Sequence, residues 1–163
     1  EKSVAGVKRD AARLGGADIF MKGGPMLGGP YLRRRKSDST SIIEGVGRLM
    51  TGEITEGELL NMENRCATGC GSCSFLGTAN TMGCLAEALG MSLPGSAMIP
   101  AVSSARLAMA QKTGQAIVKL VEGNITARQV ITAKSIENAV RLTSAIGGST
   151  NAALHVPAIA YEA

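Results

Sequence analysis

The feature that most restricts how this chain can fold lies between residues 66 and 90, where the loop CATGCGSC runs through SFLG into TANTMGCLAEALG. In the second stretch Met82, Leu85, Ala86 and Leu89 recur at helical spacing and Gly90 ends the pattern, so a buried helix must follow directly on a loop rich in cysteine and glycine. The loop itself follows a helix. Thr55 and Glu58 form a Thr-x-x-Glu capping box ahead of ELLNMENRC. Three thiols, Cys66, Cys70 and Cys73, are thereby presented between two helices in a Cys-x3-Cys-x2-Cys spacing. Cys84 lies inside the second helix and reads as a small buried hydrophobe.

Three thiolates so spaced converge on one small iron-sulfur cluster if the loop wraps around it, and the spacing is that of radical S-adenosylmethionine enzymes. The context does not match, because residues 74 to 163 read almost entirely as helix rather than as the strands of a barrel. Structural zinc needs a second pair of ligands, and the single histidine, His155, does not supply one.

Upstream, SVAGVKRDAARL (3 to 14) sets Val4, Val7, Ala11 and Leu14 on one helical face, and Gly15-Gly16 stops it. ADIFMK (17 to 22) reads as a short buried strand entering the glycine-rich loop GGPMLGGP. Helix, strand and loop in this order predict an α/β class: the helix-rich part of a layered α/β domain with a parallel sheet, incomplete in this chain. SIIEGVGRLMTG (41 to 52) reads as a helix with Ser39, Thr40 and Ser41 available as caps. AMIP (97 to 100) suggests a short strand and SSARLAMAQKTG a serine-capped helix, with two more helices around 115 to 122 and 126 to 145. GGSTNAALHVPAIAYEA reads as a glycine turn and a final helix that Pro157 should kink or break.

The 163 residues suffice for one domain, and no apolar run approaches the roughly 20 residues that span a membrane. The chain opens on Glu1 and closes on a helical pattern, which reads as an internal piece, residues 1 to 163, of one domain. Clustered cysteines and the lack of a signal peptide suggest a reducing, cytoplasmic setting. The net charge of +4 is concentrated in LRRRKSDS, where Arg33, Arg34, Arg35 and Lys36 would serve a basic nucleic-acid-binding module. Only two Phe and two Tyr are available for base stacking, so a solvated loop or subunit contact is the better reading.

The words around the loop say more than the spacing. CGSCSFLGTANTMGCLAEALGMSLPGSAMIPA (70 to 101), preceded by GGPM (23 to 26) and followed by AIGGSTNAALHVPAIA (145 to 160), resembles the dihydroxy-acid and sugar-acid (phosphogluconate, aldonate) dehydratase family. The resemblance implies dehydration of a 2,3-dihydroxy acid to a 2-keto acid by an enzyme that carries an iron-sulfur cluster, 2Fe-2S or 4Fe-4S, and a magnesium ion. It implies that three cysteines from separate parts of the polypeptide hold the cluster and that Cys73, ahead of the TANTM helix, is one of them. Cys66 and Cys70 then become neighbours rather than ligands. The other two ligand cysteines, the magnesium carboxylates with a Cys-Asp-Lys segment, and the catalytic serine lie outside the quoted blocks. Neither Lys22 nor Lys36 follows a Cys-Asp pair. The isolated chain is therefore expected to be inactive, with no catalytic residue of its own, and the parent to be a homodimer or homotetramer acting on a small hydroxy acid, without nucleic acid or membrane as partner.

Gly24, Pro25 and Met26 are candidates for a place near the substrate, since a glycine-rich loop after a strand lets backbone approach a ligand; a tight turn is the other reading. Ser149 and Thr150 open a helix whose free N–H groups suit a carboxylate or phosphate, or they simply cap it. His155, one turn on, reads as a core or interface residue. Phe75-Leu76-Gly77 and the L-P-G-S-A-x-I-P-A pattern lean towards a sugar acid over a branched-chain dihydroxy acid.

Overall fold

The computed structural model describes residues 2 to 32 and 35 to 163. Eight helices dominate it: α1 (Lys2–Leu14), α2 (Ser39–Met50), α3 (Glu56–Cys66), α4 (Thr78–Ala88), α5 (Ser104–Glu122), α6 (Ala127–Val130), α7 (Ala133–Ala145) and α8 (Ala152–Glu162). Two short strands, β1 (Tyr31–Leu32) and β2 (Arg35–Lys36), pair antiparallel with Tyr31 opposite Lys36 and Leu32 opposite Arg35.

The main core forms around α4, which packs against α1, α7 and α8. Met82, Leu85 and Leu89 are fully buried there with Met91, Ile131, Val156 and Ile159. Helix α4 is buried on nearly all sides, Thr78, Asn80 and Thr81 included, as expected of a central helix. Glu162 on α8 accepts from Arg9 (2.9 Å) and Arg13 (2.5 Å) on α1, and these guanidinium groups hold its carboxyl down at about 2. A second, smaller core lies between α2 and α3, where Ile54, Met62 and Cys66 are buried against Ile42, Leu49 and Leu59.

Local signals set most helix ends. Thr55 Oγ1 accepts from the Glu58 N–H and the Glu58 carboxylate accepts from the Thr55 N–H, as the capping box requires. Replacing Thr55 by Ala should lower stability by about 1 kcal/mol. An unchanged urea midpoint would show that this cap contributes nothing. Helix α2 opens with Asp38 as its cap, and Ser41 completes the reciprocal pair, so of the three hydroxyl residues expected there Ser41 takes part from inside the helix.

Several expectations need correction. The helix-rich fold is consistent with part of an α/β domain, and parallel pairing among the described residues is limited to one isolated bridge between Pro25 and Ser72. Residues 17 to 22 form no strand; one backbone bond, from Phe20 N–H to Met91 O, ties them to the end of α4. AMIP is a turn, not a strand. Helix α1 buries Ala5, Lys8, Ala11 and Ala12, leaving Val7 and Leu14 exposed, because the small alanines allow close approach to α4 and α8. Helix α5 runs unbroken through Gly114 to Glu122, while the stretch from 126 to 145 splits at Thr132, whose side chain caps α7 through Ser135. Pro157 is accommodated within α8. The helix-rich character of the prediction holds. No helix of the described residues is long and apolar enough to cross a membrane.

Candidate functional site

Three segments far apart in sequence meet at the N-terminal end of α4. The first is Gly24-Pro25-Met26. Met26 N–H donates to Ser72 O (2.8 Å) and Ser72 N–H donates to Gly24 O (3.0 Å), so this segment pairs with the cysteine loop; on its other side Ala101 N–H donates to Pro25 O (2.9 Å). Both loops need glycine to approach this closely. Gly71 has φ +129°, and a Cβ there would lie 2.6 Å from the Pro25 carbonyl carbon. Gly24 has φ +99°, and a Cβ there would lie 2.9 Å from Ala101 N.

The second segment is the cysteine loop. Asn80, 1% exposed, turns its carboxamide back from the first turn of α4 and donates to Cys73 O and Phe75 O, each at 2.8 Å. Its Oδ1 accepts from Ser72 Oγ (3.0 Å) and from the Lys22 ammonium. All the hydrogen-bonding capacity of this buried amide is thus used, three bonds on the loop and one on Lys22. Cys73 is exposed, as is Cys70, whereas Cys66 ends α3 with its side chain buried in the smaller core. Ser74 Oγ, beside Cys73, is buried and has no partner.

The third segment opens α8. Ser149 N–H donates to Thr81 Oγ1 (3.0 Å), the hydroxyls of Ser149 and Thr78 lie 2.8 Å apart, and Asn151 Nδ2 donates to Thr78 Oγ1 (2.7 Å). Ser149 therefore stitches the start of α8 to the start of α4, while Thr150 beside it is exposed. Asn151 precedes α8 without a side-chain cap. His155 is half-buried further along.

Two basic residues organise this region and were not singled out by the sequence. Arg106, buried on α5, donates to Lys22 O (2.8 Å) and to Ile99 O, joining the segment after α1 to the loop before α5. Lys22 is half-buried above α4; burial, with a smaller push from Arg106, brings its ammonium down to about 8 against an opposing pull from Cys84. An open cavity of about 380 Å³ lies here, bounded by Lys22, Gly23, Gly24, Gly71, Ser72, Ala79 and Ala101. Cys84 is half-buried, less deeply than a core cysteine, and its burial raises the thiol above its ordinary value. The quoted word TANTM already contained Asn80. Nothing in the sequence marked Lys22 as its partner.

Among the described residues no three of His, Cys, Asp or Glu converge as a metal-binding group. With Cys66 buried in the smaller core, a self-contained cluster on Cys66, Cys70 and Cys73 has no support here. Arg33 and Arg34, central to the basic-module reading, lie outside the described residues; Lys36 is exposed beside them.

Comparison with known proteins bears on the family these blocks suggest. Curated relatives include dihydroxy-acid dehydratase of Dehalococcoides mccartyi (strain CBDB1), 48% identical over all of this chain and 30% of the relative. That of Halothermothrix orenii is 47% identical over all of this chain and 29% of the relative, and dihydroxy-acid dehydratase 1 of Methanosarcina acetivorans is 46% identical over 99% of this chain and 29% of the relative. The chain thus spans about 30% of the length of the relatives it matches. The family model described as the dihydroxy-acid/6-phosphogluconate dehydratase N-terminal domain matches residues 1 to 163, and the chain belongs to that family.

Proposed function

We propose that this chain is the N-terminal part of a hydro-lyase that converts a 2,3-dihydroxy acid to a 2-keto acid, with Cys73 as one ligand of an iron-sulfur cluster. The observation that carries the reading is the meeting of the GGPM, CGSC and GGSTN segments at the start of α4, with the exposed Cys73 thiol between them. The residues present fit one corner of such a cluster. The Cys73 loop is pinned by its carbonyl from behind, which leaves the side chain outward, and the unpartnered Ser74 Oγ beside it is available to hydrogen-bond a cluster sulfur.

When bound, an iron with an open position would supply Lewis acidity towards the departing hydroxide, which is otherwise a poor leaving group. This chain's own residues hold and orient. Asn80 fixes the loop, Gly24, Pro25 and Met26 back it through paired backbone, and Thr150, exposed beside Ser149, is offered as a contact for a substrate oxygen. The family resemblance puts the magnesium carboxylates in other parts of the enzyme. It also puts the serine that takes the proton outside the blocks found here, and the isolated 163 residues should show no turnover.

The named relatives are dihydroxy-acid dehydratases. That supports a dihydroxy acid over the sugar acid that Phe75-Leu76-Gly77 suggested, and turnover of the full gene product on a branched dihydroxy acid against a panel of sugar acids distinguishes the two. The same protein, as a homodimer or homotetramer, tests Cys73. Iron and sulfide per chain in Cys73→Ser should fall to about a tenth or less of the parent after anaerobic reconstitution, and stay near the parent value in Cys70→Ser. Full cluster content in Cys73→Ser would overturn the assignment.

A further inference from the structure

The Asn80 carboxamide holds the Cys73 loop only in one of its two orientations. As placed, Nδ2 points to the carbonyls of Cys73 and Phe75, and Oδ1 points to Lys22 and Ser72. Turned by half a rotation, the amide would set its NH2 against the Lys22 ammonium, donor against donor, and its oxygen against two carbonyl oxygens. Ser72 cannot enforce the choice, because a hydroxyl donates or accepts equally well. The two carbonyls, which only accept, favour the placed orientation from one side, and Lys22 reinforces it from the other, since an ammonium only donates. The lysine is itself held in place: Arg106 grips its backbone carbonyl, and its stem lies over Gly83, where an added Cβ would come 2.9 Å from Lys22 Cδ.

We propose that Lys22 is a positioning residue for the metal site, locking from the oxygen side the Asn80 orientation that clamps the Cys73 loop. The proposal rests on the reading of Cys73 as a cluster ligand, but its first test does not. In the metal-free full gene product, amide exchange at Ser72 and Gly77 should rise about tenfold in Lys22→Met with exchange in α1 and α8 unchanged. In the reconstituted protein, loss of iron to a chelator should be about tenfold faster in Lys22→Met, kcat should fall and KM should stay within about twofold. Lys22→Arg, which restores a cation that only donates, should recover most of both effects. Asn80→Asp keeps the acceptor for Lys22 but has no N–H for Cys73 and Phe75, and should reproduce the faster exchange even if Lys22→Met is poorly folded.

Unchanged exchange at Ser72 and Gly77 in folded Lys22→Met would overturn the proposal, whatever Asn80→Asp does. So would an unchanged rate of iron loss combined with a rise in KM of about tenfold, which would make Lys22 a substrate-binding group instead. Should Cys73→Ser keep its cluster, the ligand assignment fails, and the metal-free exchange result still decides whether Lys22 holds the loop.

Discussion

Gly71→Ala should detach the cysteine loop from the Gly24-Pro25-Met26 segment and lower stability by about 3 kcal/mol or more. Two terms add. An alanine at φ +129° is strained, at about 1–3 kcal/mol, and its Cβ would sit 2.6 Å from the Pro25 carbonyl carbon, a backbone atom that cannot rotate away. Relief means parting the two segments and giving up the Met26 N–H to Ser72 O and Ser72 N–H to Gly24 O bonds. For a chain of this size the midpoint of thermal unfolding should drop by about 6–12 °C. Gly69→Ala provides the comparison, because Gly69 has φ +151° with nothing within 4 Å of an added Cβ, so the strain remains without the collision. Amide exchange at Met26 and Ser72 should accelerate in the Gly71 variant far more than in the Gly69 variant. Equal effects in the two would mean that the paired loops are not what Gly71 supports.

Lys8→Met should stabilise the protein, and the gain should shrink as pH rises. Lys8 is fully buried on α1; its ammonium has the Met82 carbonyl (2.9 Å) and the Phe20 ring, 5.9 Å to its centre, for company, with no carboxylate partner among the described residues. Burial lowers it to about 7 from an ordinary 10.5. Between about pH 7 and 10.5 the unfolded chain therefore binds the proton that the folded chain gives up, and folding becomes more favourable as pH rises through that window. Below about pH 7 both states are protonated and the full penalty applies, on the order of 3–5 kcal/mol. Methionine fills nearly the same volume without a charge, so the variant should gain about 2–4 kcal/mol near pH 6.5 after the lost carbonyl contact is allowed for. Urea unfolding at pH 6.5, 8 and 9.5 checks this. A constant difference between parent and variant across the three would show that Lys8 keeps an ordinary proton affinity in the folded state.

Both predictions concern residues whose importance could not be read from periodicity. Lys8 breaks the apolar face expected of α1, and the structure buries it because Ala5, Ala11 and Ala12 bring that side of the helix against α4. Polarity indicated the wrong face since alanine carries little hydrophobic signal, while the exposed Val7 and Leu14 carry more. The strand expected at residues 17 to 22 failed for a related reason: an apolar run states that a segment prefers burial, but a strand exists only when a neighbour pairs with it. By contrast α4, α3 with its Thr55–Glu58 cap, and the serine-capped start of α5 follow the sequence closely, because their bonds close within four residues.

The candidate site divides in the same way. Cys73, GGPM and GGSTN were legible as words because they are contiguous, and the helix that gathers them was legible from its spacing. That Asn80 holds the Cys73 carbonyl, that Lys22 across 58 residues fixes the Asn80 amide, and that Ser149 serves the start of α4 rather than standing free are contacts between side chains distant in sequence. The sequence by itself determined α4, α3 with its cap, the start of α5 and the family. Only the tertiary structure decided which cysteine faces outward, which is buried, and which lysine stands behind the loop, because those outcomes depend on how packed helices direct side chains that no local hydrogen bond constrains.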